Sequence, residues 1–456
     1  MSEAVPDVSS LRSALAGEVV TREDHGWEAA RQAWILTADQ RPPLVVFAES
    51  VDDIAATVRF AAANGLRVAP QSTGHGATSM GSLAGTVLLR TSRMTGVEVD
   101  PGARTATVAP GALWSDVVTT AAAHGLVGLH GMSGGVGVAG YTLGGGIGWL
   151  ARRHGFAASH VRSFDVVDAR GERRRVDAAS DPDLFWALRG GGGRPLVVTS
   201  LELELFELRQ AYAGALMWPL ERAPDVVPAY REWIATIPDE LTSTIKLLRF
   251  PPLPTVAAPL RGRSLVAVTL VFCGEQEAGE ALLAPLRALG APYLDTLATI
   301  PAAELGELAG DPTDPVPALG HAALVDRVDE EAAAAFLECA GPGVRTPIAS
   351  LEIRHLGGAL RRADPDPGAC GPLESEGLVY AATAAPNPAA GEAARAALAE
   401  VAAAFAPFSG PRDTLLTFDE NRPFAAAFAP ETAARLAAVA RAHDPDGLFV
   451  ANHVDD

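Results

Sequence analysis

Apolar and polar positions alternate with two different periods along this chain, and the change of texture divides it near residue 208. Residues 1–43 carry two short helical patterns and stop at Arg41-Pro42-Pro43. Leu44-Val45-Val46-Phe47 is an unbroken apolar run that predicts a short buried strand. Ser50-Val51-Asp52-Asp53 then predicts a capped helix with Ile54, Val58 and Ala62 on one face, closed at Asn64-Gly65. Arg67-Val68-Ala69-Pro70 and Thr86 to Arg90 predict further strands. The order strand, helix, strand, loop, strand is a βαβ-type unit, with the loop Gln71 to Gly76 at a carboxyl end of its sheet, the usual place for a ligand.

From Gly96 the runs shorten into VEVD and TATVAP, followed by a helix from Ala112 to His124 closed by Gly125. Strands are expected at 163–168 and 196–206, around the helix DPDLFWALRGGGG. Beyond residue 208 come strands at 211–217, 241–250, 263–272, 347–355 and 377–384. They interleave with helices near 223–236, 275–290, 329–340 and 388–406, which predicts an α+β domain with a mainly antiparallel sheet flanked by helices. PPLP at 251–254 and the Pro-rich stretches 311–317 and 364–372 are its loops. No internal repeat is visible.

A length of 456 residues predicts two or three domains. With 48% hydrophobic and 20% charged residues the chain is globular, and the formal charge of −19 argues against a nucleic-acid or anionic-membrane partner. The one tight basic cluster, Arg170 to Arg175, follows a strand and is expected to be a solvated hairpin. Cys273, Cys339 and Cys370 lie far apart without a CxxC, so neither a zinc knuckle nor a disulfide framework is expected, and no metal ligands are assigned. The first residues lack a signal-peptide pattern and no run approaches transmembrane length, which gives a cytoplasmic expectation.

Two stretches carry candidate chemistry. In Gln71-Ser72-Thr73-Gly74-His75-Gly76 the glycines permit close approach to the main chain and positive φ, and several N–H groups can turn inward as an anion-cradling nest with His75 between them. The second is LVGLHGMSGGVGVAGYTLGGGIG, residues 126–148. Gly135 to Gly140 fits the dinucleotide fingerprint GxGxxG, and Gly131 to Gly135 fits the GxSxG of a serine nucleophile, with Asp326 and His355 or His443 available to complete a triad. Both require a helix immediately afterwards, and the eight glycines between 134 and 148 argue against one, at about 1 kcal/mol each relative to alanine. The remaining reading is glycine-rich main chain lying against a large flat cofactor. The bland alternative is that both stretches are tight turns.

QSTGHG (71–76), VGVAGYTLGGG (136–146), DLFWALRGGGG (183–193) and HDPDGLFVANH (443–453) occur in that order. Together they resemble the FAD-binding, PCMH-type flavoproteins of the vanillyl-alcohol-oxidase superfamily, in particular the berberine-bridge-enzyme-like group, over nearly the whole chain. The resemblance implies a two-subdomain FAD-binding domain at 1–208, a substrate domain at 209–412 and a C-terminal segment, 413–456, returning to the first. It implies FAD bonded through an 8α-histidyl link at His75, with Gln71 in the same loop and amides of Ser72, Thr73, Gly74 and Gly76 on the pyrophosphate. Gly137, Gly140 and Tyr141 would run along the isoalloxazine, Val197 and Val198 would meet the adenosine end through backbone, and Asn452 would lie near the ring. Ser133 stands where many relatives carry a second covalent link on cysteine, so one bond is expected. Val136 matches a position that helps decide access of O2, and valine there resembles the oxidases.

The implied activity is hydride transfer from an alcohol, sugar or natural-product intermediate to flavin N5, with reoxidation by O2 to hydrogen peroxide. A dehydrogenase or cyclase that does not use O2, and a serine hydrolase acting through Ser133, are the alternatives. The expected partners are a small-molecule substrate and O2, in a monomer or homodimer. Two departures stand out: Arg194-Pro195-Leu196 replaces the usual NFG after the glycine run, and Leu415-Leu416-Thr417-Phe418 replaces the YxNF motif whose tyrosine serves as base. His355 is therefore the candidate base, with Tyr141 and Tyr380 behind it, while Glu352 and Arg354 are expected to point elsewhere across the pleat. Lys246, the single lysine, is given no role.

Overall fold

The computed structural model describes residues 6–362, 366–418, 422–450 and 453. Its first sheet has the strand order Glu18–Thr21, Leu44–Phe47, Thr86–Arg90, Arg67–Gln71, parallel except for the first pair. The helix Val51–Ala63 starts where expected: Ser50 accepts the Asp53 N–H, and Asn64 with Gly65, at φ +65°, closes it. Its buried face is Ile54, Val58 and Ala61 and not Ala62, because the sheet meets the helix on the i, i+4, i+7 line.

Asp53 does more than begin the helix. Its carboxylate accepts backbone N–H bonds from Ala16 at 3.0 Å, Gly17 at 3.1 Å and Glu49 at 2.9 Å, tying the Glu18–Thr21 edge strand to the sheet. Asp53→Ala leaves these donors unpaired and is expected to lower stability by at least about 2 kcal/mol. Thermal or urea unfolding checks it, and a change within experimental error would contradict the assigned role.

A second, antiparallel sheet runs Val97–Asp100, Thr105–Val108, Val197–Glu204, Val161–Val167, Arg173–Val176. The basic cluster is its outer hairpin, neutralised by Asp52, Asp181, Asp165 and Glu202. The third sheet is larger, with the order Leu294–Asp295, Gln210–Pro219, Ser264–Phe272, Leu241–Arg249, Ser350–His355, Gly377–Ala384, Ala318–Val325. Its described pairs are all antiparallel. One face carries the helices Ala223–Ile234, Glu330–Ala340 and Pro388–Phe405 over a core that includes Tyr230, Trp233, Phe336 and Phe405. Near the C-terminus, Val68 N–H bonds Leu448 O and Val450 N–H bonds Val68 O, both at 2.8 Å, so this segment adds a bridge to the outer edge of the first sheet. Among the described residues no helix is long and apolar enough to cross a membrane.

Three expectations need correction. Glu18–Thr21 and Ala318–Val325 are strands that the pattern does not announce, and the region 275–290 is two helical pieces, Gln276–Leu282 and Ala284–Arg287, with Pro285 at the start of the second. The third correction matters most: Val138–Leu143 is a helix inside the glycine stretch. Of the eight glycines only Gly140 falls within it, so the penalty applies once, and burial of Val138, Ala139, Tyr141 and Thr142 outweighs it. The others lie in flanking loops, Gly145 and Gly146 with φ of +108° and +76°. GVGVAG thus does open a helix, but a turn and not a strand precedes it, which is what separates it from the dinucleotide fingerprint.

Candidate cofactor and active site

The Gln71–Gly76 loop leaves its strand at a tight corner. Gly74 has φ +84°, and a Cβ there would lie 2.7 Å from Gln71 Nε2 and 2.8 Å from Ala33 Cβ. Gln71 is pinned by its bond to Gln40 Oε1 at 3.2 Å. His75 stacks on Trp34, with ring centroids 4.1 Å apart and planes at 16°, while Trp34 N–H bonds Thr73 O at 3.0 Å. Thr73 Oγ1 lies 2.7 Å from His75 Nδ1. Burial lowers the His75 pKa to about 4, so the imidazole is neutral at physiological pH.

This loop forms one end of a cavity. Ser72, Thr73, Gly74, His75 and Gly76 line that end, and the floor is Gly137, Ala139, Gly140, Tyr141 and Gly144. The far wall is Gly192, Gly193 and Leu196 to Val198, and Leu416, Thr417, Val450 and His453 close the top. Thr417 Oγ1 donates to Gly144 O at 3.0 Å, which fixes the top to the floor, and His453 Nε2 bonds Leu416 O at 3.2 Å within the top. Among the described residues that line it there is no lysine, arginine, aspartate or glutamate.

Two observations test whether a flavin fits. Ser72 Oγ, Tyr141 OH and His453 Nδ1, on residues that line this cavity, are buried without a hydrogen-bond partner among the described residues, so polar atoms around the space are left unsatisfied there. Gly140 is a helix-interior glycine, yet a Cβ on it would meet nothing within 4 Å. No packing constraint within the chain asks for glycine there; the missing side chain leaves room over the floor. Backbone donors, a bare floor and no competing side-chain charge among the described lining residues suit a long anionic cofactor with a flat ring.

A family of proteins described as an FAD binding domain matches residues 42–177. The solved structure of 6-hydroxy-D-nicotine oxidase from Arthrobacter nicotinovorans superposes with a TM-score of 0.83 over 97% of this chain and 98% of that one, at 25% identity. Residues 42–177 thus match an FAD binding domain, and the whole chain has the fold of the PCMH-type flavoproteins of the vanillyl-alcohol-oxidase superfamily. By sequence, this flavoprotein is 34% identical to (R)-6-hydroxynicotine oxidase of Paenarthrobacter nicotinovorans over 45% of each chain. It is 31% identical to xylooligosaccharide oxidase of Thermothelomyces thermophilus, over 50% of this chain and 48% of that one. It thus spans about half the length of these curated relatives. A berberine-bridge-enzyme-like protein of Physcomitrella patens shares the fold, with a TM-score of 0.84 and 16% identity over 98% of both chains.

The cavity of the flavoprotein brings together Gln71, Ser72, Thr73, Gly74, His75, Gly76, Gly137, Gly140, Tyr141 and Val198. Ser133 instead lines an adjoining cavity, with Trp34, His130 and His75, which lines both. Asn452 lies outside the described residues. Ser133 Oγ makes no hydrogen bond to a histidine or carboxylate among the described residues. Asp326 accepts from Ser375, His355 faces Arg152 and His443 lies 3.7 Å from Asp181, so the hydrolase triad is not assembled.

His355 does not line the cavity. Its Nε2 is 3.0 Å from Arg152 Nη1, and burial, with the charges of Arg152 and Arg361, lowers its pKa to about 3. The opposite face of the same strand carries the polar groups. In cross-strand register Lys246 faces Glu352 and Glu352 faces Tyr380; Lys246 Nζ lies 3.1 Å and Arg354 Nη2 2.5 Å from the Glu352 carboxylate. The Arg354 guanidinium sits 4.7 Å from the Phe418 ring centroid and 5.8 Å from that of Tyr380. Its charge reaches Tyr141, whose pKa burial raises and Arg354 opposes. The expectation that Glu352 and Arg354 point elsewhere is therefore reversed: they and Tyr380 share the face toward Phe418 and Tyr141, and His355 takes the other. Strand alternation gives two faces, and only pairing with Lys246 tells which one is polar. Gly192, Gly193, Thr417 and His453 were missed. The signal for three of them was present, in RGGGG and HDPDGLFVANH.

Proposed function

We propose that this flavoprotein is an FAD-dependent oxidase that carries its flavin on His75 through an 8α-histidyl bond. In this reading it oxidises an alcohol, sugar or natural-product intermediate, with O2 as the final acceptor. The observation that carries the reading is the glycine-floored cavity, without a charged side chain among its described lining residues, that includes a neutral histidine and three residues with orphaned polar atoms. Bound FAD would supply a hydride acceptor at N5 and pass two electrons to O2. The chain's part is to hold and orient. Amides of Ser72 to Gly76 bind the pyrophosphate, the Gly137–Tyr141 main chain supports the ring, and backbone at Val198 meets the adenosine end. Ser133 offers no thiol, so His75 is the single attachment.

Tyr141 is the group of this face that lines the cavity, with Tyr380, Glu352 and Arg354 behind it, and His355 is set aside because Arg152 occupies its Nε2. Burial alone would raise the Glu352 pKa, but Arg354 and Lys246 hold it below the ordinary carboxylate value. Glu352 is then a fixed, buried anion that holds Arg354 in place, and a poor acceptor of a proton. The names of the relatives, oxidases of a nicotine derivative and of an oligosaccharide, support the reaction class.

The purified protein is expected to be yellow, to keep its colour in the acid-precipitated polypeptide, and to release hydrogen peroxide with at least one member of an alcohol, amine and sugar panel. A colourless protein that takes up no added FAD would remove the proposal; flavin without peroxide on any substrate, but with transfer to an artificial acceptor, would make it a dehydrogenase.

A further inference from the structure

We propose that the substrate is a carboxylic acid, and that Arg354 and Lys246, on the third sheet, hold its carboxylate beside Tyr141. The inference deepens the oxidase reading above and rests on it. Lys246, the single lysine of the chain, and Arg354 share one counter-ion, because Glu352 lies 3.1 Å from Lys246 Nζ and 2.5 Å from Arg354 Nη2. Among the described residues no other carboxylate pairs with either. The cluster therefore holds one surplus positive charge in a largely buried setting, where a charge without its counter-ion is costly. A bound monoanion removes that cost.

The donors left over are open to a ligand. Arg354 directs Nε and Nη2 to the same Glu352 oxygen, both at 2.5 Å, and Nη1 bonds no described residue. Each cation keeps 12% of its side chain exposed, and neither Arg354 Nη1 nor Lys246 Nζ is a sealed atom. Phe418, its ring centroid 4.7 Å from the guanidinium, steadies Arg354 and is itself only part-buried, as is Tyr380. One surplus charge matches one carboxylate, whose two oxygens suit the planar guanidinium fork. A phosphate monoester, with a charge of about −1.5 to −2 at neutral pH, would overfill the cluster. Arg354 also acts on Tyr141, opposing the rise that burial imposes on its pKa, and Tyr141 lines the cofactor cavity, so an acid held here lies next to the floor. The carboxylate only anchors. Two electrons and two protons leave a carbinol carbon and its hydroxyl elsewhere in the molecule, and O2 takes up all four as hydrogen peroxide.

The test uses the full-length, flavin-loaded protein and two probes of one shape, benzoate and the uncharged benzamide, with binding read by calorimetry and by the change in visible flavin absorbance. Benzoate should bind at least roughly tenfold more tightly than benzamide, as a charge-assisted hydrogen bond predicts, and should perturb the flavin spectrum. Arg354→Met and Lys246→Met each leave a neutral pair with Glu352, so neither strands a buried charge. Each should weaken benzoate at least roughly tenfold and change benzamide less than about twofold. Flavin content and melting temperature report whether each variant folds, and the comparison of the two probes on wild type needs neither variant. Of 4-(hydroxymethyl)benzoate and its methyl ester, the acid should show the higher kcat/KM. Equal affinity for the two probes, no binding of benzoate, unchanged benzoate affinity in a folded variant, or a preference for the ester would overturn the inference. A lowered flavin reduction potential with unchanged benzoate affinity in Arg354→Met would assign the surplus charge to the reduced cofactor and overturn it as well. Protein that carries no flavin and takes up none would instead remove the oxidase reading; calorimetry still scores benzoate on that protein, so the two failures are told apart.

Discussion

Glu352→Ala is expected to destabilise the folded protein by about 3–5 kcal/mol, the cost of removing one partner from a buried charge set. Glu352 is 2% exposed and holds Lys246 at 3.1 Å and Arg354 at 2.5 Å on one face of the third sheet. Without the carboxylate two cations, each with 12% of its side chain exposed, would face each other without an anion between them. Among the described residues no other carboxylate pairs with them: the cross-strand neighbour is Tyr380, and the Arg354 guanidinium already lies against the Phe418 and Tyr380 rings. Glu352→Gln keeps volume and hydrogen bonding and should lose less. The pH dependence has a fixed sign. The folded carboxyl lies below its ordinary value of 4.5, so its contribution is complete above that value and disappears as pH falls through the lower, folded one. Denaturant unfolding of wild type and variant at neutral pH, and again well below pH 4.5, should therefore show a large gap that closes in acid. A gap under about 0.5 kcal/mol at neutral pH, the ordinary range for surface substitutions, would mean that the charges are not buried together.

Much of the fold can be read from the chain because its local signals agree. The Ser50 cap, the Leu44–Phe47 run and the Asn64-Gly65 stop all favour the same βαβ arrangement, and the Gln71–Gly76 loop falls at its carboxyl end. The misses share one cause, which is that the deciding contact is distant in sequence. Ala318–Val325 contains glycine, histidine and alanine and reads as weak strand, but it pairs along its length with Gly377–Ala384 and is fixed by that partner. Val138–Leu143 carries a glycine yet folds as a helix because Val138 and Tyr141 are buried, with Tyr141 edge-on to Trp114 at 5.6 Å. The site divides in the same way. Loop and floor residues belong to short, recognisable motifs, whereas Thr417 and His453 reach the cavity from segments hundreds of residues away. His355 was the natural choice by residue type, since histidine titrates near neutrality. Its environment, a guanidinium at 3.0 Å in a buried setting, removes that property, and no sequence pattern announces Arg152 as its neighbour.

Gly140→Leu should abolish flavin loading while leaving the empty protein as stable as the wild type or slightly more so. The two effects come from the same geometry. Leucine in a helix interior is favoured over glycine by roughly 0.8–1 kcal/mol, and a Cβ at this position meets no protein atom within 4 Å, so the fold has no reason to resist it. Its branched end would, however, occupy the space above the floor that Gly137, Gly140 and Tyr141 leave open between the His75 loop and the Leu196–Val198 wall. Any flat ring placed there must approach the main chain at van der Waals distance, and four extra carbons prevent it. Gly140→Ala adds only the Cβ and should weaken loading without eliminating it. Flavin stoichiometry by visible absorbance, together with the melting temperature of apoprotein, separates this from misfolding: a colourless variant that melts at or above the wild-type apoprotein is the expected pair. A variant that melts normally and takes up flavin to the wild-type ratio would show that the ring lies elsewhere, and the absence of a side chain at residue 140 would need another cause.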